Sequence, residues 1–349
     1  MQTLIRRAAA WSFVLLLAGL ASAPTHAADD MPIPASISPE ARAYLQSLPP
    51  RRSGSSDFSD PAAATRVRAM LGKMFLAGAR RITTDYTLEA VDAGGVPAYW
   101  VRTPGNATAG SSRPGKERVL LYLHGGGFVI GAAATDLSIP LRMGIDARLP
   151  VLSVDYRLAP EHPYPAALDD SVAAYRWLLK QGFKPGNIGV VGDSAGGQLA
   201  VALVLAAHKA GLPRPGAVVA MSPVTDMTDT GDSYVTMANF DPIQSTDRSN
   251  RVDYMAGHDP KDPLLSPIFA DLRGFPPLLI QVGTRDLLLS DSVRLARKAR
   301  VDGVDVTLDV WDGMWHVWQG NPTVPEARAA SMEAAAFLRR HLGLPAAAR

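Results

Sequence analysis

Short apolar segments that alternate with helical ones are the feature that most constrains the fold of this 349-residue chain. From about residue 85 onward, apolar runs of five to eight residues are separated by longer amphipathic segments. Such alternation predicts a mostly parallel β-sheet with helices on both faces, and nearly continuous apolar strands fit burial on both sides. The predicted strands are 119–124, 151–156, 188–192, 217–222, 277–283 and 304–311, and the predicted helices are 165–181, 195–210, 290–301 and 324–341.

Residues 1–27 have the layout of a secretory signal peptide. A basic start, MQTLIRR, precedes the apolar stretch AAAWSFVLLLAGLA and the small-residue site THA, so we expect cleavage after Ala27 and export to a periplasm or the medium. The apolar stretch is short for a membrane span, although an uncleaved N-terminal anchor is the alternative. The chain has no cysteine, so it cannot carry the usual lipoprotein anchor, and an oxidising compartment does not harm it.

Charge and composition exclude several classes of protein. Without residues 1–27, whose only charged side chains are Arg6 and Arg7, 33 basic side chains face 33 acidic ones. This balance gives no support to nucleic-acid binding or to a polybasic membrane contact. With 47% apolar residues, the chain can bury a large core without disulfides.

Three regions depart from the strand–helix alternation. In residues 28–84, Asp60 can cap a helix and Pro61 fits its first turn. Between 217–222 and 277–283 lie about fifty residues without a strong strand signal, and an insertion of that length is usually functional or an added subdomain. A third, linker-like stretch at 103–117 predicts a surface loop. The apolar residues of the predicted N-terminal helix that share one face are Val67, Met70, Leu71, Met74 and Phe75.

The pentapeptide GDSAG at 192–196 lies directly between a predicted strand and a predicted helix. A G-x-S-x-G sequence in that context is typical of a sharp turn that exposes a serine hydroxyl above the sheet, here that of Ser194. A phosphate-binding loop is the competing interpretation, but the lysine of a P-loop and the dinucleotide spacing are both missing.

A serine nucleophile needs a base, and His316 is the candidate that its position favours. It follows the last predicted strand, and ligand sites of open parallel sheets lie at the carboxyl ends of the strands. The other six histidines lie in the leader, near helix ends, in a turn-rich segment, in the insertion or beside the glycines, at His26, His208, His341, His162, His258 and His124.

A carboxylate should orient the imidazole of that base. Asp286 follows the strand before His316, which gives the chain order Ser…Asp…His expected of this architecture. Asp291 and Asp312 remain alternatives, one helical turn further on and four residues before His316, respectively.

Three consecutive glycines follow the first buried strand, in YLHGGGFV. Attack by Ser194 on a carbonyl creates an oxyanion, and each backbone N–H that meets it contributes on the order of 3 kcal/mol. The expected donors are the amides of Ala195, Gly126 and Gly127, because missing side chains let the backbone surround the anion.

Together these motifs resemble the hormone-sensitive-lipase-like branch of the α/β-hydrolases. The matching segments are YLHGGGFV, DYRLAPEHPYPAALDD, GDSAGGQLA, SPVTD, GTRDLLLSD and DGMWHVW, within about residues 85–341. The resemblance implies an α/β-hydrolase fold in which Ser194, Asp286 and His316 are nucleophile, acid and base. It also implies that His124 and the Asp155–Asp170 segment hold the oxyanion loop without taking part in the chemistry.

The resemblance further implies a small, mainly helical cap, built from residues 28–84 and an insertion at about 224–275 in a catalytic domain of 85–349. The expected function is an exported serine carboxylesterase that hydrolyses short-acyl esters through an acyl-enzyme. The tryptophan-rich histidine loop resembles members that act on lactones. An inactive small-molecule-binding protein on the same fold and a true lipase are the alternatives.

Phe128, Trp315 and Trp318 are the candidate substrate-binding side chains, with Tyr254 and Met255 from the insertion. The expected partner is a small ester or lactone, without nucleic acid or stable membrane insertion. No metal or other cofactor is expected, because there is no cysteine and the histidines show no HExxH spacing.

Overall fold

In the computed structural model of the protein, the described residues contain eight strands that form one sheet in the order β1-β2-β4-β3-β5-β6-β7-β8. Strand β1 pairs antiparallel with β2, β2 pairs antiparallel with β4, and every other pairing is parallel. The strands are β1 Thr87–Asp92, β2 Pro97–Arg102, β3 Val119–Leu123, β4 Val151–Val154, β5 Ile188–Asp193, β6 Ala217–Met221, β7 Leu278–Arg285 and β8 Val306–Trp315.

The described residues are 31–48, 58, 60–104, 106, 117–244 and 246–345. The predicted signal peptide, 1–27, and most of the predicted surface loop at 103–117 lie outside them. All the strands and helices belong to one unit, Ile33–Arg349. The predicted division of the chain into a cap and a catalytic domain stays a prediction. No helix within the described ranges has the length and apolar character needed to cross a bilayer.

Helices cover both faces of the sheet, as the sequence predicts. Side chains of α4, α5 and α8 share one hydrophobic core with the sheet, and those of α3 and α9 share the other. The helices are α1 Pro39–Ser47, α2 Pro61–Ala79, α3 Ser138–Ala147, α4 Ala166–Lys180, α5 Ala195–Lys209, α6 Ser233–Thr236, α7 Ser249–Met255, α8 Leu289–Val301 and α9 Pro325–His341.

The strand order places a topological switch point between β3 and β5. The chain leaves β3 toward β4 on one side and then returns to β5 on the other side of β3. Loops after such neighbouring strands diverge and leave a crevice at the carboxyl ends, which is where open α/β sheets bind ligands. Residues 125–129, the glycine segment, follow β3, and Ser194 follows β5. Both predicted site segments therefore lie at this crevice.

The N-terminal helices agree with the sequence in part. The side chain of Asp60 accepts a hydrogen bond from the amide of Ala62 at 3.0 Å, which confirms the predicted helix start. The predicted apolar face is wrong in two positions, because Met70 and Met74 are 55% and 60% exposed. Helix α2 instead contacts the glycine segment through Arg68, whose Nε donates to the carbonyl of Val129 at 2.7 Å.

Candidate active site

Ser194 occupies a tight turn between β5 and α5 that only small neighbours permit. Its φ and ψ of 53° and −119° are sparsely populated for a residue with a side chain. A Cβ at Gly192 would overlap the carbonyl of Gly196, and one at Gly196 would overlap the carbonyl of Leu123 on β3. The two glycines are therefore required by backbone packing, and that packing fixes the direction of the serine hydroxyl.

The structure brings Ser194, His316 and Asp286 together in one buried hydrogen-bonded chain. Nε2 of His316 lies 2.9 Å from Oγ of Ser194, and Nδ1 lies 3.2 and 3.3 Å from the two carboxylate oxygens of Asp286. Because the carboxylate can only accept, the ring proton lies on Nδ1 and leaves Nε2 free to accept the serine proton.

The electrostatic surroundings of His316 favour its charged form. Burial alone would lower the pKa of its imidazole, but the anion and hydrogen bond of Asp286, with further anionic contributions from Asp241 and Asp193, outweigh burial and raise that pKa. A base with a raised pKa takes the proton of an attacking hydroxyl more readily, and its charged form is stabilised within the site.

The rival acids have other partners. Oδ2 of Asp291 accepts the amide hydrogens of Thr225 and Asp226 at 2.7 and 3.0 Å. Asp312 accepts a hydrogen bond from the hydroxyl of Ser36. The geometry therefore favours Asp286 as the carboxylate that orients the imidazole.

Each glycine after β3 meets a different obstacle. A Cβ at Gly125 would overlap the side chain of Asp193, and a Cβ at Gly126 would overlap the carbonyl of Ile130. A Cβ at Gly127 would collide with the side-chain amide of Asn250 in the insertion. Gly126 and Gly127 also have φ values of 115° and 59°, which favour glycine.

The Gly126–Gly127 segment follows Gly125, where a Cβ would lie 3.2 Å from Cβ of Ser194. The carbonyl of Gly126 accepts hydrogen bonds from Val129 and Ile130 at 3.1 and 3.0 Å, which close the segment into a tight turn. Ala195 begins α5, and the amides of a first helical turn have no acceptor within their own helix. The roles of Gly126, Gly127 and Ala195 as oxyanion donors stay a prediction.

Buried polar side chains pack around the glycine segment and hydrogen-bond to neighbouring residues. The hydroxyl of Tyr156 donates to the carbonyl of His124 at 2.6 Å, and the two rings stack at 4.2 Å. The hydroxyl of Tyr122 donates to Asp193 at 2.6 Å. Burial raises the pKa of Asp193 to about 6, and the hydrogen bond from Tyr122 opposes this rise. The role of His124 in holding the loop stays a prediction.

The three predicted substrate-binding side chains are all buried against other parts of the protein. Phe128 stacks on Tyr254 of α7 with the ring centroids 3.7 Å apart. Trp315 stacks on Tyr44 of α1 at 4.6 Å, and Trp318 lies in the same hydrophobic cluster. This placement favours packing roles for the two tryptophans over the substrate contacts that the sequence suggested.

Three residues of the insertion lie at the site without having been predicted. Nε2 of Gln244 lies 2.6 Å from Nε2 of His316, Asp241 is buried beside Asp286, and Asn250 contacts Gly127. Their segment has no periodic apolar pattern, and the sequence pointed to it only through the length of the insertion and the family resemblance.

One cluster of side chains in the described part of the chain has the composition of a metal site. Asp241, Asp286 and His316 each offer a ligand atom within 4.8 Å of the others. Both ring nitrogens of His316 already have hydrogen-bond partners in Asp286 and Ser194. The cluster therefore fits a proton relay better than metal coordination, and the expected absence of cofactors stays a prediction.

Comparison with known proteins gives consistent matches. Residues 120–320 match the family model described as alpha/beta hydrolase fold. The chain is 43% identical over 269 residues to an acetyl-hydrolase of Streptomyces hygroscopicus, covering 76% of this chain and 90% of that protein. It is 37% identical over 224 residues to an esterase of Acinetobacter venetianus, covering 63% of this chain and 74% of that protein.

A solved structure gives the same assignment. An esterase from the bacterial hormone-sensitive lipase family superposes with a TM-score of 0.76 at 39% identity, covering 88% of this chain and 99% of that one. The family match, the sequence relatives and this superposition agree with the serine, histidine and carboxylate assembled at the switch point. The chain therefore belongs to the α/β-hydrolase fold family and, within it, to the carboxylic ester hydrolases related to hormone-sensitive lipase.

Proposed function

We propose that the protein is an exported serine carboxylesterase that hydrolyses short-acyl esters through an acyl-enzyme. The observation that carries the proposal is the continuous chain of contacts from Oγ of Ser194 through the ring of His316 to the carboxylate of Asp286. It is the geometry that a serine hydroxyl needs to become a nucleophile near neutral pH.

In the first half-reaction, Nε2 of His316 accepts the hydroxyl proton of Ser194 while Oγ bonds to the ester carbonyl carbon. The negative charge on the carbonyl oxygen is stabilised by the amides of Gly126, Gly127 and Ala195. The tetrahedral intermediate then collapses, the bond to the alkoxy oxygen breaks, and His316 returns its proton to the departing alcohol. The acyl group remains on Ser194.

In the second half-reaction, a water molecule takes the place of the alcohol. His316 accepts a proton from that water as its oxygen bonds to the acyl carbon, and the second tetrahedral intermediate releases Ser194 when the ring returns the proton to Oγ. Asp286 holds the ring in the orientation that both transfers need.

A short-acyl substrate is supported by the acetyl-hydrolase activity named for the Streptomyces relative. The intact Ser194–His316 contact speaks against the alternative of an inactive binding protein on the same fold. A lactone substrate rests on the sequence resemblance of the histidine loop alone, because the side chains of Trp315 and Trp318 are packed inside the protein.

Export rests on the layout of residues 1–27. The expected outcome in a bacterial host is a mature chain that begins at Ala28 and is recovered from the periplasm or the medium, as determined by N-terminal sequencing of each fraction. A cytoplasmic product that retains Met1 and its leader would contradict export.

The central experiment measures release of p-nitrophenol from acetate, butyrate, octanoate and palmitate esters by protein from residue 28 onward, with a lactone panel beside it. We expect turnover that falls with chain length, and a loss of about 10⁴-fold or more in Ser194→Ala. The matched control is Ser153→Ala, which removes a buried hydroxyl that has no hydrogen-bond partner among the described residues.

Three results would redirect the assignment. Turnover that survives in folded Ser194→Ala would show that the nucleophile is wrong. Highest activity on emulsified palmitate would favour the lipase, and no turnover on any ester or lactone by folded protein would favour the binding protein.

A further inference from the structure

Asp241 is a buried carboxylate that the catalytic chain of Ser194, His316 and Asp286 does not include. It lies in the insertion between α6 and α7 and is only 1% exposed. A buried carboxylate needs several hydrogen-bond donors to remain ionised. Asp241 obtains three of them from backbone amides, and two of those amides belong to segments that contact the ring of His316.

The first of these contacts ties Asp241 to the acid loop. Oδ2 of Asp241 accepts the amide hydrogen of Leu287 at 2.9 Å. Leu287 follows Asp286 directly, so this hydrogen bond restrains the loop that presents Asp286 to Nδ1 of His316. Asp286 restrains the same loop through its own side chain, because its Oδ1 accepts the amide hydrogen of Leu288 at 2.8 Å.

The second contact ties Asp241 to the opposite side of the ring. Its Oδ1 accepts the amides of Ile243 and Gln244 at 2.9 and 3.0 Å, which closes a short turn. That turn places Nε2 of the Gln244 side chain 2.6 Å from Nε2 of His316. The leaving alcohol and the hydrolytic water must approach the same ring nitrogen, so Gln244 stands where both proton transfers occur.

We infer that Asp241 is a positioning residue for ester hydrolysis, which holds the Asp286 loop on one side of His316 and Gln244 on the other. This inference rests on the proposed function. It gives the insertion a defined part in the reaction, because one of its carboxylates fixes the partners of both ring nitrogens.

The charges around this group set the expected pH behaviour. Burial and the neighbouring Asp286 raise the pKa of Asp241, His316 and the amide donors oppose the rise, and together they bring that pKa to about 6. Asp241 is therefore largely ionised at neutral pH. The charged groups that face His316 are Asp286, Asp241 and Asp193, and all three raise its pKa.

The test is Asp241→Asn in the protein from residue 28 onward, assayed with p-nitrophenyl butyrate. The substitution keeps the size of the side chain but removes its charge and one of its two acceptor atoms. We expect kcat to fall about 10-fold to 100-fold with KM nearly unchanged, because the reacting groups are misplaced. We also expect the acid limb of kcat to move to lower pH, because one of three anions near His316 is lost.

The matched control is Asp259→Asn in the same insertion. Asp259 also closes a turn, by accepting the amide of Lys261 at 2.9 Å, but it is exposed. Titration of the reactive serine with a fluorophosphonate gives the fraction of folded, active protein in each sample. Wild-type turnover that depends on Ser194 establishes the proposed function separately from this inference.

A kcat and a pH profile of Asp241→Asn equal to those of Asp259→Asn would overturn the inference. A loss of kcat that matches the loss of titratable serine would overturn it too, because the role would then be structural. If Asp241→Asn does not fold, Gln244→Ala decides: the inference requires a lower kcat at unchanged Tm and an unmoved acid limb, and a wild-type kcat overturns it.

Discussion

The loop after β3, the turn at Ser194 and the insertion between β6 and β7 lie together at the site, but they are built in different ways. In the loop after β3 and on both sides of the turn at Ser194, backbone atoms pack so closely that a Cβ at Gly126, Gly192 or Gly196 has no room. In the insertion, position depends on buried charges, such as the ion pair between Arg251 and Asp229 and the amide contacts of Asp241.

This difference predicts how each region responds to substitution. A backbone-packed turn tolerates almost no added volume, and it has little freedom to relax because the protein interior is close-packed. A region held by hydrogen bonds to charged groups tolerates changes of volume but loses position when a charge is removed. Substitutions in the loop after β3 and in the turn at Ser194 should therefore cause large losses of activity, whereas those in the insertion should cause smaller ones.

The largest expected effect comes from the acid on the loop after β7. Asp286→Asn keeps the shape of the side chain but lets the ring of His316 adopt the wrong tautomer, so kcat should fall by about 10⁴-fold. Steady-state hydrolysis of p-nitrophenyl butyrate measures this loss. Asp312→Asn, which changes the rival acid four residues before His316, should keep nearly full activity. The opposite ranking would move the acid to Asp312.

Backbone packing in the elbow is tested by Gly196→Ala. The new methyl group would overlap the carbonyl of Leu123, so we expect a loss of about 3 kcal/mol in the free energy of unfolding, together with lower activity. Urea unfolding followed by tryptophan fluorescence measures it. Gly186→Ala serves as the control, because no atom of the described residues, apart from its chain neighbours, lies within 4 Å of the position of its Cβ. Equal stability of the two variants would contradict the packing argument.

The difference between backbone packing and long-range contacts also decides which parts of the fold can be predicted from the sequence. Parallel strands and the elbow at Ser194 are predictable, because buried apolar runs and glycines beside a serine follow from local backbone requirements. The hairpin of β1 and β2 and helix α3 were not predicted, because their apolar residues meet partners distant in sequence. The apolar face of α2 was predicted only in part, because Met70 and Met74 remain exposed.

Within the site, the contacts of Asp241, Gln244 and Asn250 could not be predicted. Each of these contacts depends on where a part of the insertion without a periodic apolar pattern folds back over the sheet. A single sequence does not specify which residues that part will meet. Trp315 and Trp318 illustrate the converse. Proximity to His316 in sequence suggested substrate contacts, whereas the fold packs both side chains beneath the N-terminal helix α1.

The pH dependence of kcat/KM tests whether carboxylates of both regions act on one base. Asp286, Asp241 and Asp193 together raise the pKa of His316 above its ordinary 6.5 despite burial. Because the base must be unprotonated, the rate should fall about tenfold per pH unit below that raised pKa. The decline should thus begin at a higher pH than for an ordinary histidine. A rate unchanged down to about pH 4 would refute His316 as the base.

The smallest expected effect concerns the contact between Gly127 of the loop after β3 and Asn250 of the insertion, and it measures that contact directly. A methyl group at Gly127 would strike the side-chain amide of Asn250. Gly127→Ala should therefore lose less activity in an Asn250→Ala background than alone. The backbone strain at φ 59° persists in both backgrounds, since it belongs to Gly127 itself.

The four proteins of this double-mutant cycle should give a coupling of about 1 kcal/mol in kcat/KM, or about fivefold. Asn250→Ala alone should change kcat/KM only a few-fold, because it deletes a polar contact at the edge of the site. Additive losses would mean that the insertion does not touch the loop after β3 in solution. A coupling of the expected size would show that Asn250 of the insertion and Gly127 of the loop after β3 belong to one site. In that site, the missing side chain of Gly127 makes room for the insertion.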